Sequence, residues 1–531
     1  MEKDSLKEHG EVATLENIFD YFLGKNWSKK EVRGKSVDGL FEIDGLPLTW
    51  FYKRFLVLHV LPPFLGIRPI LTKMLLKQPL SFFDTFSSTI SAYGLCVYVR
   101  INERIKRFVS KSSLPSKIPK VLFLVPSNHL DSSGSAFRVS NMISTLRSEK
   151  KISPLVMVFD PLSLHSYKKL RHYDTSIYGY IDAHVLRSAR MASRDLSRMW
   201  KRLDDSTKHD IFTYGETSLW SYLRPIINLF FSRTFIFYQI LYYECMKRVI
   251  AQEQVRAVVL TSQNSIFEKA ALAAAEKMAI PTIIVQHGLS EGAVNPDILS
   301  RTIVSVFSEM YKKRLVRVGV PSKSIRVTGP VIFDDIFHFL TEEIAHDKKK
   351  ILVITEPFVE RSTLNSDFYF TYIERLLTDL HKIEHSTVTL RLHPSERFAH
   401  SYDRLIRKLG YTNITVDQQV GSRYLYKIIA SSDVVINFWS TVAIEAMILD
   451  KPVVTVDLVH HSSGNYEILR QLGAMVVVDS TSEMSSVVKS LLAHDTLRSE
   501  RRRAVRHICG VIDGKAYRRL VELLYDLTSA K

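Results

Sequence analysis

A chain of 531 residues is longer than one hydrophobic core serves, so two or three domains are expected. Its 46% hydrophobic and 24% charged content excludes large-scale disorder. The formal net charge of +17 asks for an anionic partner, but there is no C2H2 spacing, RNP-like aromatic motif or long Lys/Arg tail, so nucleic acid is not expected. Three distant cysteines, Cys96, Cys245 and Cys509, show no metal spacing and imply a reducing compartment. The polar start MEKDSLKEHG lacks a signal-peptide pattern, and a cytoplasmic location is expected.

Residues 1–117 read as a mostly helical N-terminal region with a turn-rich patch at Asp38–Pro47. Three apolar segments, Phe55–Ile70, Leu80–Val99 and Ile226–Tyr243, are too short or too interrupted for a span of roughly 20 residues. Each is either a core helix or an interfacial segment whose basic flank meets anionic lipid, which would place the protein peripherally on the cytoplasmic membrane face. VLFLV, after Lys120, is a buried-strand run, and PSNHLDSSGSAF follows it as a polar loop opening a helix. A basic, aromatic, helical insertion is expected at about 165–252. VRAVVLT, a helix from Ser265, IPTIIVQHG, TIVSVFS and SIRVTGP then alternate strand with helix, completing a first α/β domain over 118–340. Ser265 and Glu268 have capping-box spacing at the start of that helix.

The charged stretch TEEIAHDKKK reads as a linker. A second alternation over 351–531 runs through ILVIT, TVTLRLHP, NITVD, DVVIN, PVVTVD and AMVVVD. The fold class is therefore α/β, two Rossmann-type parallel sheets facing a cleft. Ligands of such sheets bind beyond the carboxyl ends of the strands, so polar residues just after strands are the candidates.

Asn437, Ser440 and Thr441 follow DVVIN and open an apolar helix, where unpaired N–H groups and hydroxyls favour phosphate; plain N-capping accounts for one hydroxyl alone. Glu445, four residues beyond Thr441 and on the same helix face, is suited to accept from ribose hydroxyls. His393 and Arg391 alternate at the end of TLRLHP. His287 and Gly288 end IPTIIVQ; the histidine is a candidate general base, a ligand contact or a structural residue. Gly329 of TGP is a turn or a close-approach position. Asp131, in the loop with Asn128 and His129, is a second candidate base or an Asx-turn.

At VQHG, SEMYKKRLVRVGVPSKSIRVTGP, RLHP and SSDVVINFWSTVAIEAMILDKPVV the chain resembles the nucleotide-sugar glycosyltransferases of the GT-B fold. It is most similar to polysialyltransferase-like and capsule transferases and to the glycerophosphotransferases of teichoic acid synthesis. The resemblance covers about 120–520 and is strongest from 255 to 457. It implies transfer of a sugar from a nucleotide-sugar donor to a lipid-linked or cell-surface glycan, without a metal or other cofactor. His393 would contact the nucleotide, Ser440 and Thr441 its phosphate, and Glu445 the ribose; a His-Gly base favours His287. A sugar-nucleotide epimerase on the same fold, a glycerophosphate transferase and a non-catalytic scaffold are the alternatives.

Overall fold

A computed structural model describes residues 27–32, 34–50, 118–126, 138–159, 174–175, 177–214, 217–218, 220–263, 266–286, 288, 299–340, 347–360, 363–394, 396, 398–419, 421–458, 465–479 and 482–529. Six parallel strands form the first sheet: β1 (Lys120–Pro126), β2 (Ser153–Phe159), β3 (Val255–Leu260), β4 (Thr282–Val285), β5 (Thr302–Val306) and β6 (Ile325–Val327), in the order β6-β5-β4-β3-β1-β2. Six more form the second: β7 (Lys349–Ile354), β8 (Ser386–Arg391), β9 (Ile414–Asp417), β10 (Val434–Asn437), β11 (Val453–Val456) and β12 (Val476–Val478), in the order β9-β8-β7-β10-β11-β12. The strands are short apolar runs because helices cover both faces of a parallel sheet. Strand order reverses between β1 and β3 and between β7 and β10, the positions where open α/β sheets take ligands. The two domains flank a cleft, as GT-B-like architecture requires.

The insertion between β2 and β3 is helical, and includes α1 (Ala183–Lys201) and α2 (Arg233–Gln252). Asp182 accepts from Val185 N–H (2.9 Å) and Ser232 from Phe235 N–H (3.2 Å), each satisfying an otherwise orphaned donor in a first turn. Ile236, Ile240, Met246 and Val249 of α2 lie in the core against Leu122, Leu124 and Val258. The part of the apolar segment 226–243 that falls in α2 is thus a core helix and not an interfacial one. Phe55–Ile70 and Leu80–Val99 lie outside the described residues, as does most of the expected helical region 1–117. Residues 31–47 form two short antiparallel hairpins, docked where Tyr243 and Lys247 donate to Asp44 (2.8 and 3.0 Å).

The other face of the first sheet is covered from the far end of the chain. Leu520, Val521 and Leu524 of α7 (Ala516–Ser529) pack on Val121, Phe123 and Val259. Buried Asp334 accepts from the N–H groups of Ala516 (3.0 Å) and Tyr517 (2.7 Å), fixing the start of this helix. Burial, only partly offset by these bonds, pushes its carboxyl up to about 6. Residues 341–346 of the expected linker lie outside the described residues. On the second sheet, Leu352, Val435 and Trp439 share one apolar cluster with Phe307, Phe333 and Ile336 of the first domain, so the domains meet through buried side chains.

Candidate functional site

The turn between β10 and the helix α5 (Val442–Ile448) is held by Asn437. Its side chain is fully buried: Nδ2 donates to Val454 O (3.1 Å) and Thr455 Oγ1 (3.0 Å), and Oδ1 accepts from Ser440 N–H (3.2 Å). Asn437 therefore does not present its amide to a ligand, as the sequence suggested; it shapes the turn. Trp439 takes a left-handed backbone (φ 56°), unusual for a bulky residue and costing about 1–3 kcal/mol. Beyond it, the Ser440 and Thr441 hydroxyls make no hydrogen bond among the described residues, and neither caps α5. The helix has seven residues, so its macrodipole counts for little; what recommends the turn is its two hydroxyls.

Glu445 lies one turn on. The residue keeps partial exposure, but its Oε2 is sealed from solvent and has no hydrogen-bond partner. Burial pushes the carboxyl up to about 7. Tyr426, on α4 (Ser422–Ala430), donates to Ile332 O (3.2 Å); burial and the charges of Glu445 and Asp335 raise its phenol. Glu445 therefore faces the segment Val331–Phe339 by which the chain leaves the first domain.

After β8, the backbone N–H of half-buried His393 donates to both Thr355 Oγ1 (3.1 Å) and Glu396 Oε2 (3.0 Å). Glu396 also accepts from Thr355 Oγ1 (2.6 Å) and Tyr402 Oη (2.8 Å), and burial pushes its carboxyl up to about 6 against these bonds. Sequence reasoning missed Thr355, Glu356 and Glu396. Glu356 is buried at the exit of β7, beside the strand-order reversal, and Glu396 stands three residues after His393, a spacing that offered a signal. Arg391 is buried, paired with Asp417 (2.8 Å) and set against the Tyr424 ring at 5.5 Å. Its guanidinium is committed to the protein.

In the first domain, Asp131 and His287, and with them Asn128 and His129, lie outside the described residues. Gly288 O accepts from Gln286 Nε2 (2.8 Å), and Gln286 Oε1 accepts from Phe307 N–H (3.0 Å), so one buried amide ties two strand exits. A Cβ on Gly329 (φ 88°) would lie 2.9 Å from Arg519 Nη2 and 3.2 Å from Val511 O. The close approach at this glycine is made by the chain's own C-terminal segment. Near the exit of β3, buried Glu268 of α3 (Ile266–Lys277) accepts from Ser262 Oγ (3.2 Å); its expected capping partner Ser265 lies outside the described residues. Burial lowers Arg138 to about 10 against the opposing charge of Glu268. Among the described residues, no group of three or more His, Cys, Asp or Glu is placed to hold a metal ion. No helix among them is long and apolar enough to cross a membrane.

The fold and the strand-exit turns define a GT-B-like protein. Residues 244–525, more than half of the chain, match the family described as UDP-N-acetylglucosamine 2-epimerase, and the chain belongs to that family. Among solved structures it is similar to a Listeria monocytogenes protein assigned as a UDP-N-acetylglucosamine 2-epimerase. That pair shares 14% identity over 78% of this chain and 98% of the other, with a TM-score of 0.50. It is also similar to the Neisseria meningitidis UDP-GlcNAc 2-epimerase bound to UDP-GlcNAc, at 15% identity over 77% and 100% of the two chains, with a TM-score of 0.48. At 14% identity the likeness to the Listeria monocytogenes protein establishes the fold alone. No curated protein matches the chain.

The family match corrects the expectation of a surface-polysaccharide or capsule glycosyltransferase, and of a glycerophosphotransferase. The physical reason is that HG, TGP, HP and ST mark exits of nucleotide-binding sheets, and those exits serve transfer and epimerisation alike. The coarser expectation holds: an enzyme of the GT-B and epimerase superfamily that acts on nucleotide sugars.

Proposed function

We propose that the protein is a nucleotide-sugar epimerase that inverts the C2 centre of UDP-N-acetylglucosamine or a close relative. The observation that carries this is the family match over 244–525, which takes in the strand exits of both sheets from β3 to β12. The turn after β10 supports it. Ser440 and Thr441 supply hydroxyls to the phosphates, and Glu445, with an unpartnered oxygen, accepts from the ribose. His393, its backbone clamped by Thr355 and Glu396, lines the nucleotide from the exit of β8, with β7 between it and β10.

Inverting a carbon that bears hydrogen requires one group to take a proton and another to return it to the opposite face. His287 and Asp131 are proposed for these roles, from their positions just after β4 and β1. The test is incubation of the full chain with UDP-N-acetylglucosamine in deuterated water, followed by proton NMR. The C2 epimer should appear carrying deuterium at C2. A folded protein that yields neither epimer nor exchange would overturn the assignment.

A further inference from the structure

At the end of α5 opposite Ser440 and Thr441, a cavity of about 520 Å³ opens between its last turn and α6 (Arg498–Cys509), with Phe339 and Leu340 at its lip. We propose that it is a second anion site, taking a small molecule that bears a diphosphate and an apolar or aromatic end. The cavity is lined by Lys451, Arg498, Arg502 and Arg506, with one carboxylate, Asp450, among them. Spacing of four residues along α6 puts the three arginines on one helix face. Arg498 Nε and Arg502 Nη2 converge on the same oxygen, Asp450 Oδ2, at 2.6 and 2.8 Å. The Arg506 side chain makes no hydrogen bond or ion pair among the described residues. Asp450 is the one carboxylate that lines the cavity beside these four cations.

The platform beneath them is rigid. Arg501 is fully buried, bonds Asp495 through both terminal nitrogens, and donates to Asp450 O (3.2 Å), closing the end of α5. Asp450 itself turns in a left-handed conformation (φ 58°). Guanidinium groups recognise phosphate through paired N–H donors. A row of three suits an extended anion with several charged oxygens better than it suits a single carboxylate. The exposed Leu340 and the neighbouring Phe339 offer the apolar contact for the other end. The volume lies within the roughly 300–1,000 Å³ of small-molecule sites.

Calorimetric titration of the full chain with UDP and with inorganic pyrophosphate tests this. Wild type should bind UDP at two sites per chain, and Ser440→Ala with Thr441→Ala should weaken one of them about tenfold and leave the other unchanged. Arg506→Glu leaves the Asp450 pairs intact and should weaken pyrophosphate about tenfold or more, with a marked dependence on salt. Pyrophosphate affinity unchanged by Arg506→Glu and by Arg502→Gln with Arg506→Glu would overturn the second site. So would a single UDP site weakened by the hydroxyl variant, a result that leaves the proposed function standing. Retention on phosphatidic acid vesicles that Arg506→Glu abolishes, with no response to soluble pyrophosphate, would transfer the site to a lipid headgroup and overturn the small-molecule assignment.

Discussion

The exits of β8 and β10 in the second sheet are each followed by a glutamate, and they treat it in opposite ways. After β8, Glu396 accepts from Thr355, Tyr402 and the His393 backbone, so both of its oxygens are engaged within the protein. After β10, Glu445 keeps Oε2 enclosed and unpartnered. Both carboxyls are raised by burial, to about 6 and about 7, and only the first has hydrogen bonds that offset the cost. A raised carboxyl is therefore ambiguous on its own. The partner inventory separates a clamp that positions a neighbour from a group held ready for a ligand.

The comparison is broken most sharply at the clamp. Glu396→Ala removes the buried acceptor that Thr355, Tyr402 and the His393 backbone share, and a hydrogen bond to a charged group is worth about 1.5–3 kcal/mol. A loss of about 3 kcal/mol in denaturant midpoint measurements is expected, together with weaker nucleotide binding as the His393 turn loosens. Full stability in this variant would show that the network is not a clamp.

Glu445 should behave in the opposite sense. Its folded-state value of about 7 lies above the unfolded value, so the native protein keeps a proton that the unfolded chain releases. Stability is then lost as pH rises from the unfolded carboxylate range to about 7, and the cost levels off above that. Glu445→Gln should be more stable than wild type by about 2 kcal/mol at pH 8, with the gain vanishing near pH 4. It should also bind UDP more weakly, because the amide replaces a carboxylate acceptor. In wild type UDP affinity should rise between pH 6 and 8, and in the variant it should not. A gain of equal size at pH 4 and pH 8 would mean that burial is not what sets this carboxyl.

Much of this was legible in the sequence because parallel strands buried on both faces betray themselves as short apolar runs, and strand exits locate a cleft. What escaped depended on partners distant in the chain. Asn437 looked like a ligand contact, and its role is decided by Thr455 on the next strand. Gly329 read as a turn or a close-approach position, and it is Arg519, near the end of the chain, that makes the approach. Glu396 was passed over because Thr355 and Tyr402, which give it a purpose, lie on separate elements. Transfer and epimerisation could not be told apart, since the legible motifs belong to nucleotide binding, which both require.

The mildest expected effect on stability is also the one that reads the site most directly. Ser440→Ala with Thr441→Ala removes two hydroxyls that make no hydrogen bond among the described residues and do not cap α5. Stability should then change by no more than about 0.5 kcal/mol, as for a surface substitution, and not by the ~1 kcal/mol typical of a lost cap. Phosphate binding should fall about tenfold, since a hydrogen bond to a charged group is worth roughly 1.5–3 kcal/mol. The two readouts separate the explanations for hydroxyls at this turn. A large stability loss with UDP affinity kept would make them structural caps, whereas intact stability with weakened binding would make them ligand contacts. The second result, set beside a destabilised Glu396→Ala, would show that one sheet edge divides its labour between a turn that holds shape and a turn that holds the nucleotide.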